Sequence, residues 1–219
     1  MHRRRLLASV ATVGIAASAG CVSDILGSLT SYSATPAAVS DAAIEETGYE
    51  HQSTEEEVEE EEVAGETVEV TNYISRYSRL VEIPFIGELE AGIFATITTP
   101  QVSIAGESRN PVGEMTNREI IELVQEQYEE LSIDDSIDNR SVETLGTTTT
   151  VETFEGRARV RDSEVDVFVD VSRFAHADDH VIVGGVYPEQ LSDEGERITT
   201  LIEGLEHERE GEGEDEDEE

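Results

Sequence analysis

Alternation between apolar and charged residues from position 154 to 171 constrains the fold of this chain more than any other feature. On both sides of Asp162-Ser163, valine, alanine, glycine or phenylalanine occupies every second position. Period-two alternation is typical of an antiparallel strand pair with one buried and one wet face. A two-residue turn at Asp162-Ser163 then predicts the inner cross-strand pairs Val160 with Val165, Ala158 with Val167, Gly156 with Val169, and Phe154 with Val171. On the outer face the same register predicts Arg159 opposite Asp166 and Arg161 opposite Glu164.

The remaining patterns add strands and three helices. Further strands are predicted at residues 52–63, 67–83, 89–99, 141–145 and 181–187. Helices are predicted at residues 41–47, at 117–131 and after Ser192. Ser40 is the expected N-cap of the first helix and Gly48 its stop, while Thr116 and Glu119 form a capping box for the second. We therefore expect an α+β domain, an antiparallel sheet of about six strands with helices packed on its faces.

The balance of charges excludes some functions and indicates a solvent. The chain has 51 acidic residues against 14 basic ones, all of the latter arginine, and a formal net charge of -37. Such a surface repels phosphates, so we expect no nucleic-acid partner. Self-repulsion of this size destabilises a compact state, but it is largely screened in molar salt, where the Debye length is about 3 Å. The composition favours a protein adapted to high salt over an ordinary acidic protein.

The first 21 residues are typical of an export signal that ends at a lipid attachment site. Arg3 and Arg4 form a twin-arginine motif, and the stretch from Leu6 to Gly20 carries no charge and ends at Cys21, the only cysteine. We predict a signal peptide at 1–20, a lipidated cysteine and flexible tether at 21–35, a single globular domain at 36–207 and a disordered acidic tail at 208–219. The alternative for the leader is an uncleaved helix that anchors the protein.

Three residues near a predicted turn could bind a metal ion. His176, Asp178 and His180 place two imidazoles and a carboxylate within five positions. Two consecutive aspartates are also common in turns. Two histidines at this spacing on a hairpin need not converge as they do on a helix. We favour the turn and predict neither a metal nor another cofactor, with a weak metal site as the alternative.

One strand face carries candidate recognition residues. Tyr73, Tyr77 and Arg79 share a face of the strand at 67–83 by alternation. Exposed tyrosine and arginine are common anchors of protein interfaces, so these residues could form a binding face. The alternative is a half-buried sheet face whose phenol groups reach water. Gly184-Gly185, within an apolar strand, indicates close packing rather than a phosphate loop.

No catalytic motif accompanies these features. The sequence has no G-x-S-x-G elbow, and its only thiol is assigned to the lipid. We therefore expect a non-enzymatic, lipid-anchored protein on the extracytoplasmic face of the cell membrane, which binds an envelope protein or a small ligand. The alternatives are a metal-assisted surface hydrolase that uses His176 and His180, and a structural or ion-buffering layer formed by the acidic runs.

Several short segments resemble a known family. They are Pro36-Ala37-Ala38-Val39-Ser40, Glu46-Thr47-Gly48-Tyr49, Thr99-Pro100-Gln101-Val102, Asn110-Pro111-Val112-Gly113 and Val186-Tyr187-Pro188. Through them the chain resembles a domain-of-unknown-function family of uncharacterised haloarchaeal twin-arginine lipoproteins. The resemblance implies an envelope location and no particular activity. The element order is also loosely similar to the PsbP-like α/β/α sandwich, a likeness that implies a fold but no function.

Mass spectrometry of the membrane fraction tests the predicted processing. We expect the mature protein to begin at Cys21 with a lipid mass on that residue, because the sole cysteine follows the small residues Ser18-Ala19-Gly20. A Cys21→Ala variant should lack this mass and keep its leader. An intact Met1 terminus with a free Cys21 thiol in the native chain would refute the lipid anchor.

Overall fold

A computed structural model describes residues 30–63, 66–83, 87–104, 107–108, 110–127, 130–160 and 163–207. Its main strands are β1 (Thr30–Ser33), β3 (Glu50–Val63), β4 (Glu66–Ile83), β5 (Gly87–Pro100), β8 (Leu131–Thr144), β9 (Thr147–Val160), β10 (Ser163–His176) and β11 (Asp179–Pro188). The short strands are β2 (Ala38–Val39), β6 (Ser103–Ile104), β7 (Glu107–Ser108) and β12 (Leu205–Glu206). The helices are α1 (Asp41–Thr47), α2 (Asn117–Gln127), α3 (Glu194–Glu203) and a 3₁₀ turn at Pro111–Glu114.

One eight-stranded sheet dominates this structure. Its order is β1-β4-β5-β11-β10-β9-β8, and β3 pairs with β4 in addition. All of these pairs are antiparallel except β1 with β4, which is parallel. The strand predicted at 181–187 corresponds to β11 and is central, since it lies between β5 and β10.

Each face of the sheet has its own hydrophobic core. On the first face, Phe94 and Val183 pack with Ile198 and Leu201 of α3. On the second face, Phe154 and the valines of β10 pack with Ile120 and Ile121 of α2. Burial of a large apolar side chain stabilises a fold by about 1.5–3 kcal/mol, so these two clusters fix α3 and α2 on opposite sides of the sheet.

The predicted fold class is wrong. The sheet is mixed and has eight strands rather than about six in purely antiparallel order, and the chain is mostly strand. The three α-helices of the described residues have 7, 11 and 10 residues, whereas β4 alone has 18. These helices cover patches of the sheet and do not form layers, so the domain is not an α/β/α sandwich and the PsbP-like comparison is not supported.

Two strands account for most of the difference between the predicted and the observed sheet. Outward-facing polar residues fill β8, which is exposed at most of its 14 positions and therefore lacks the alternation that reveals a half-buried strand. Only its end, around residue 141, was predicted. Strand β1 lies within the segment predicted as a tether, so the fold begins before residue 36. The leader, Cys21 and the acidic tail lie outside the described residues.

Helix boundaries follow the predicted caps in two of three cases. Ser40 Oγ accepts the Ala43 N–H at 3.4 Å, and Gly48 ends α1 with a left-handed φ of 71°. Glu119 Oε2 accepts the Thr116 N–H at 2.7 Å, which confirms the capping box. The second helix ends at Gln127, before the predicted 131, and Asp193 rather than Ser192 is the N-cap of α3.

The β9–β10 hairpin has the predicted faces in a different register. Val160 pairs with Ser163, so Ala158 lies opposite Val165 and Phe154 opposite Val169. The slip of two residues preserves the identity of each face, because side chains alternate with a period of two. It moves the outer pairs to Arg157 with Asp166 and Arg159 with Glu164.

Among the described residues, no helix combines the length and the apolar character needed to cross a membrane.

Gly184 and Gly185 in β11 provide a matched test of packing. A Cβ on Gly185 would lie 2.9 Å from Ile198 Cδ1, whereas one on Gly184 would meet nothing within 4 Å. We expect Gly185→Ala to lower the free energy of unfolding by about 1–3 kcal/mol, the usual cost of overpacking a filled core. Gly184→Ala should be neutral or stabilising. Urea denaturation in molar salt measures both, and equal effects would contradict this packing.

Candidate functional site

A cavity of about 510 Å³ lies where the end of α1 meets β3, β4 and α3. Its walls include two arginines, one large apolar side chain and three glutamates: Arg79, Arg197, Leu80, Glu45, Glu46 and Glu50. Leu80 is 61% exposed, and the three glutamates are exposed as well. The cavity therefore offers a basic wall, an apolar contact and an acidic rim within one space.

A buried carboxylate holds the basic wall in place. Glu194 is only 1% exposed and accepts hydrogen bonds from Arg79 Nε at 3.1 Å and from Arg79 Nη2. Tyr49 Oη donates to Glu194 Oε1 at 2.9 Å, and Arg197 Nε lies 3.9 Å from Oε2. Bidentate contacts of this kind fix a guanidinium in both position and orientation.

Local backbone features bring these groups together. Gly48 turns the chain sharply after α1, and Arg197 Nη1 donates to the Thr47 carbonyl of that helix end at 2.9 Å. Gly92 leaves room for the cluster, because a Cβ there would lie 2.8 Å from Tyr49 Oη and 3.0 Å from Glu194 Oε1. Burial and the charge of Glu194 raise the pKa of Tyr49, so its phenol remains a donor.

A second buried carboxylate joins α3 to the other end of the sheet. Asp170 is 1% exposed and receives two hydrogen bonds from Arg140, from Nη1 at 3.1 Å and from Nη2 at 2.7 Å. Thr153 Oγ1 donates to it at 2.6 Å and Tyr187 Oη at 3.2 Å. Arg140 Nε donates to Thr199 Oγ1 of α3 at 2.9 Å, so this network links the sheet to that helix.

Both clusters and the cavity lie within a segment that one protein-family model matches. The match covers residues 36–206, and the family is described as a domain of unknown function (DUF6517). The chain belongs to this family. No curated protein matches the chain. The family assignment thus supports the predicted membership in a domain-of-unknown-function family, while the cavity and its arginines have to be interpreted from their own chemistry.

The predicted binding face of Tyr73, Tyr77 and Arg79 is only partly available. All three lie on the face that β2 and α3 cover, and Tyr77 is 2% exposed with its Oη accepting the Val39 N–H at 2.9 Å. Tyr77 is therefore a core residue. Tyr73 Oη donates to Glu56 at 3.1 Å, away from the cavity. Of the three, Arg79 alone lines the cavity.

The candidate metal ligands do not converge. His176 pairs with Asp179 and His180 with Ala175 in the β10–β11 hairpin, so the two imidazoles lie on opposite faces of the sheet. Asp178 is part of the turn between the strands, as predicted. Over the described ranges, no three histidine, cysteine, aspartate or glutamate side chains are grouped so that they could hold a metal ion.

His176 instead takes part in a chain of hydrogen bonds to the end of the domain. Its Nδ1 lies 2.8 Å from His207 Nδ1, and His207 Nε2 lies 3.1 Å from both Asp179 Oδ2 and the Thr35 carbonyl. Two acceptors at His207 Nε2 place a proton there, and the two Nδ1 atoms share a hydrogen bond. Burial and the adjacent His207 lower the pKa of His176. This network joins the first and last described segments.

Most of the important side chains lie outside the sequence predictions. Arg197 lines the cavity, while Glu194, held by Tyr49, contacts the two arginines of its wall. Asp170 and Arg140 form the second cluster. Asp170 falls on the face predicted to be wet, but α3 covers it. The only signal in the sequence was its composition. Since the chain has 14 arginines and 51 acidic residues, an arginine near an apolar strand is a candidate partner of a buried carboxylate.

Replacement of Glu194 tests the role of the buried carboxylate. We expect Glu194→Gln to lower the free energy of unfolding by about 3 kcal/mol, the lower end for a broken buried ion pair, because both arginines keep some hydration. The control Glu55→Gln breaks the exposed pair with Arg76, which is 2.7 Å long, and should leave stability unchanged. Urea denaturation in molar salt gives both values. Equal stability of the two variants would show that Glu194 does not hold α3.

Proposed function

We propose that this chain is a lipid-anchored envelope protein of the extracytoplasmic membrane face whose domain binds a small polar ligand without catalysing a reaction. The observation that carries the proposal is the cavity with two arginines fixed around a buried carboxylate. Its volume falls within the range of small-molecule sites, about 300–1,000 Å³. The acidic surface suits this protein to high salt.

Preorganisation supports a binding role for the cavity. The guanidinium of Arg79 is held by two hydrogen bonds to Glu194, and that of Arg197 by one to the end of α1. Groups that are already fixed lose little side-chain entropy when a ligand arrives.

The position of the cavity agrees with an anchor at the N-terminal side. The described chain enters the sheet at Thr30, which is paired with Val68 of β4, whereas Arg79 lies eleven residues further along that strand. At a rise of about 3.3 Å per residue, the cavity lies roughly 35 Å from this entry point. A tether from Cys21 would thus join the domain at a point distant from the cavity.

The other hypotheses gain no support from the structure. A hydrolase that uses His176 and His180 would need both imidazoles at one site, and they lie on opposite faces of the sheet. The acidic run in β3 is hydrogen-bonded along β4 as an edge strand with exposed glutamates. Charged edge strands prevent association between sheets, which accounts for this run without an ion-buffering role.

Thermal unfolding of the full chain with a ligand panel tests the proposal. The panel contains amino acids, short peptides, sugars and dicarboxylates, each in molar salt. We expect at least one class to raise the Tm of the native chain, since a ligand that binds only the folded state stabilises it.

Two variants locate any effect. Arg197→Gln removes a guanidinium from the wall of the cavity and should abolish the Tm shift. Arg76→Gln, which replaces an arginine that pairs with Glu55 outside the cavity, should retain it. A panel without any shift, or a shift that survives in Arg197→Gln, would contradict ligand binding in this cavity.

A further inference from the structure

We propose that the cavity selects a zwitterionic ligand of the amino-acid or short-peptide class, with its carboxylate on Arg79 and Arg197 and its ammonium group at the glutamate rim. This inference rests on the proposed function and names the class of ligand. It follows from the unused donors of the arginines, from the charge balance of the wall and from the chemistry of the rim.

Each arginine keeps a terminal nitrogen for a ligand. Arg79 directs Nε and Nη2 to Glu194, and Arg197 directs Nη1 to the Thr47 carbonyl. Within the part of the chain that the structure describes, nothing accepts a hydrogen bond from Arg79 Nη1 or Arg197 Nη2. A carboxylate is the natural acceptor for such donors, because it takes two N–H groups in its own plane.

The arginine pair of the cavity is not fully neutralised by the carboxylate that holds it. Two guanidiniums share one buried carboxylate, Glu194, so this group of three side chains has one positive charge in excess. Arg79 and Arg197 have side-chain exposures of 23% and 36%, so a ligand can reach them while their other atoms stay covered. One monoanionic group neutralises this excess.

The rim has the opposite character. Glu45, Glu46 and Glu50 are exposed, and none of them forms an ion pair with another described residue. Three carboxylates at the mouth disfavour phosphate and dicarboxylates, which would bring further negative charge close to them. A ligand with an ammonium group at its other end is instead attracted by the carboxylates that repel those anions, so it binds more tightly.

The solvent and the size of the cavity narrow the class further. In molar salt, where screening acts within about 3 Å, only groups in direct contact contribute to selectivity, so both charged ends have to reach their partners. A cavity of about 510 Å³ exceeds the volume of one small amino acid and accommodates a short peptide. The exposed side chain of Leu80 supplies an apolar contact for the part between the ends.

Calorimetric titration with four matched tripeptides tests this inference. The probes are trialanine, N-acetyl-trialanine, trialanine amide and N-acetyl-trialanine amide, each added to the full chain in molar salt. They share a backbone and differ only in their terminal charges. We expect trialanine to bind about tenfold more tightly than either singly blocked peptide, because each blocked end loses one charge-assisted hydrogen bond. The doubly blocked peptide should not bind.

Variants assign each end of the ligand. Arg197→Gln should weaken trialanine about tenfold and leave trialanine amide unchanged, since the amide lacks the carboxylate. The double variant Glu45→Gln/Glu46→Gln should remove the preference for trialanine over N-acetyl-trialanine. Glu143→Gln, an exposed glutamate on β8 outside the cavity lining, is the control for the loss of negative charge and should change neither affinity.

The results separate this inference from the proposed function. Equal binding of trialanine and N-acetyl-trialanine would overturn selection of a zwitterion while leaving an anion site in the cavity. Absence of binding by all four peptides would also overturn it, and the wider ligand panel would then decide on its own whether the cavity binds any small molecule.

Discussion

Two buried carboxylates, each neutralised by arginine, hold the structure of this domain together. Glu194 and Asp170 both lie between α3 and the sheet, and each is paired there with a guanidinium. Glu194 fixes the start of α3 against β4 through Arg79. Arg140 donates hydrogen bonds to both Asp170 and Thr199 and so connects the sheet to the same helix. The helix is thereby positioned by directional contacts at two points, and its apolar side packs on Phe94 and Val183 between them.

These contacts use cations that are scarce in this chain. With 51 acidic side chains and 14 basic ones, nearly every acid has to remain in solvent, and the acidic edge strand β3 shows how the fold achieves this. Its glutamates as far as Glu60 stay exposed while the backbone pairs with β4. In high salt the repulsion along such a strand is screened, so an acidic sequence can keep a regular sheet edge. Arginine is therefore used to stabilise buried carboxylates at only a few positions.

The cavity is a consequence of the same arrangement. Because Glu194 draws Arg79 and Arg197 to one place, two fixed guanidiniums line a space that α1 and the beginning of β3 enclose. A wall of this kind favours an anionic group, and the glutamates at the mouth determine what else that ligand can carry.

Some features followed from local sequence alone. The helix caps act within one helical turn, and their prediction at Ser40, Gly48, Thr116 and Glu119 was confirmed. The faces of the β9–β10 hairpin follow from a period of two, so they were predicted correctly although the predicted register was wrong by two residues. The number of strands, the parallel β1 and the extent of β8 depend on pairing with distant segments, which local patterns do not report.

What the sequence by itself determined is the charge, the hairpin faces and the caps, because each arises from composition or from neighbours along the chain. Only the tertiary structure decided which carboxylates are buried and which arginines meet them. Tyr49, Arg79 and Glu194 are brought together from three separate segments, and Glu194 lies 145 positions from Tyr49. Contact between such residues depends on how the sheet and α3 pack, since burial makes their pairing obligatory only after the fold has formed.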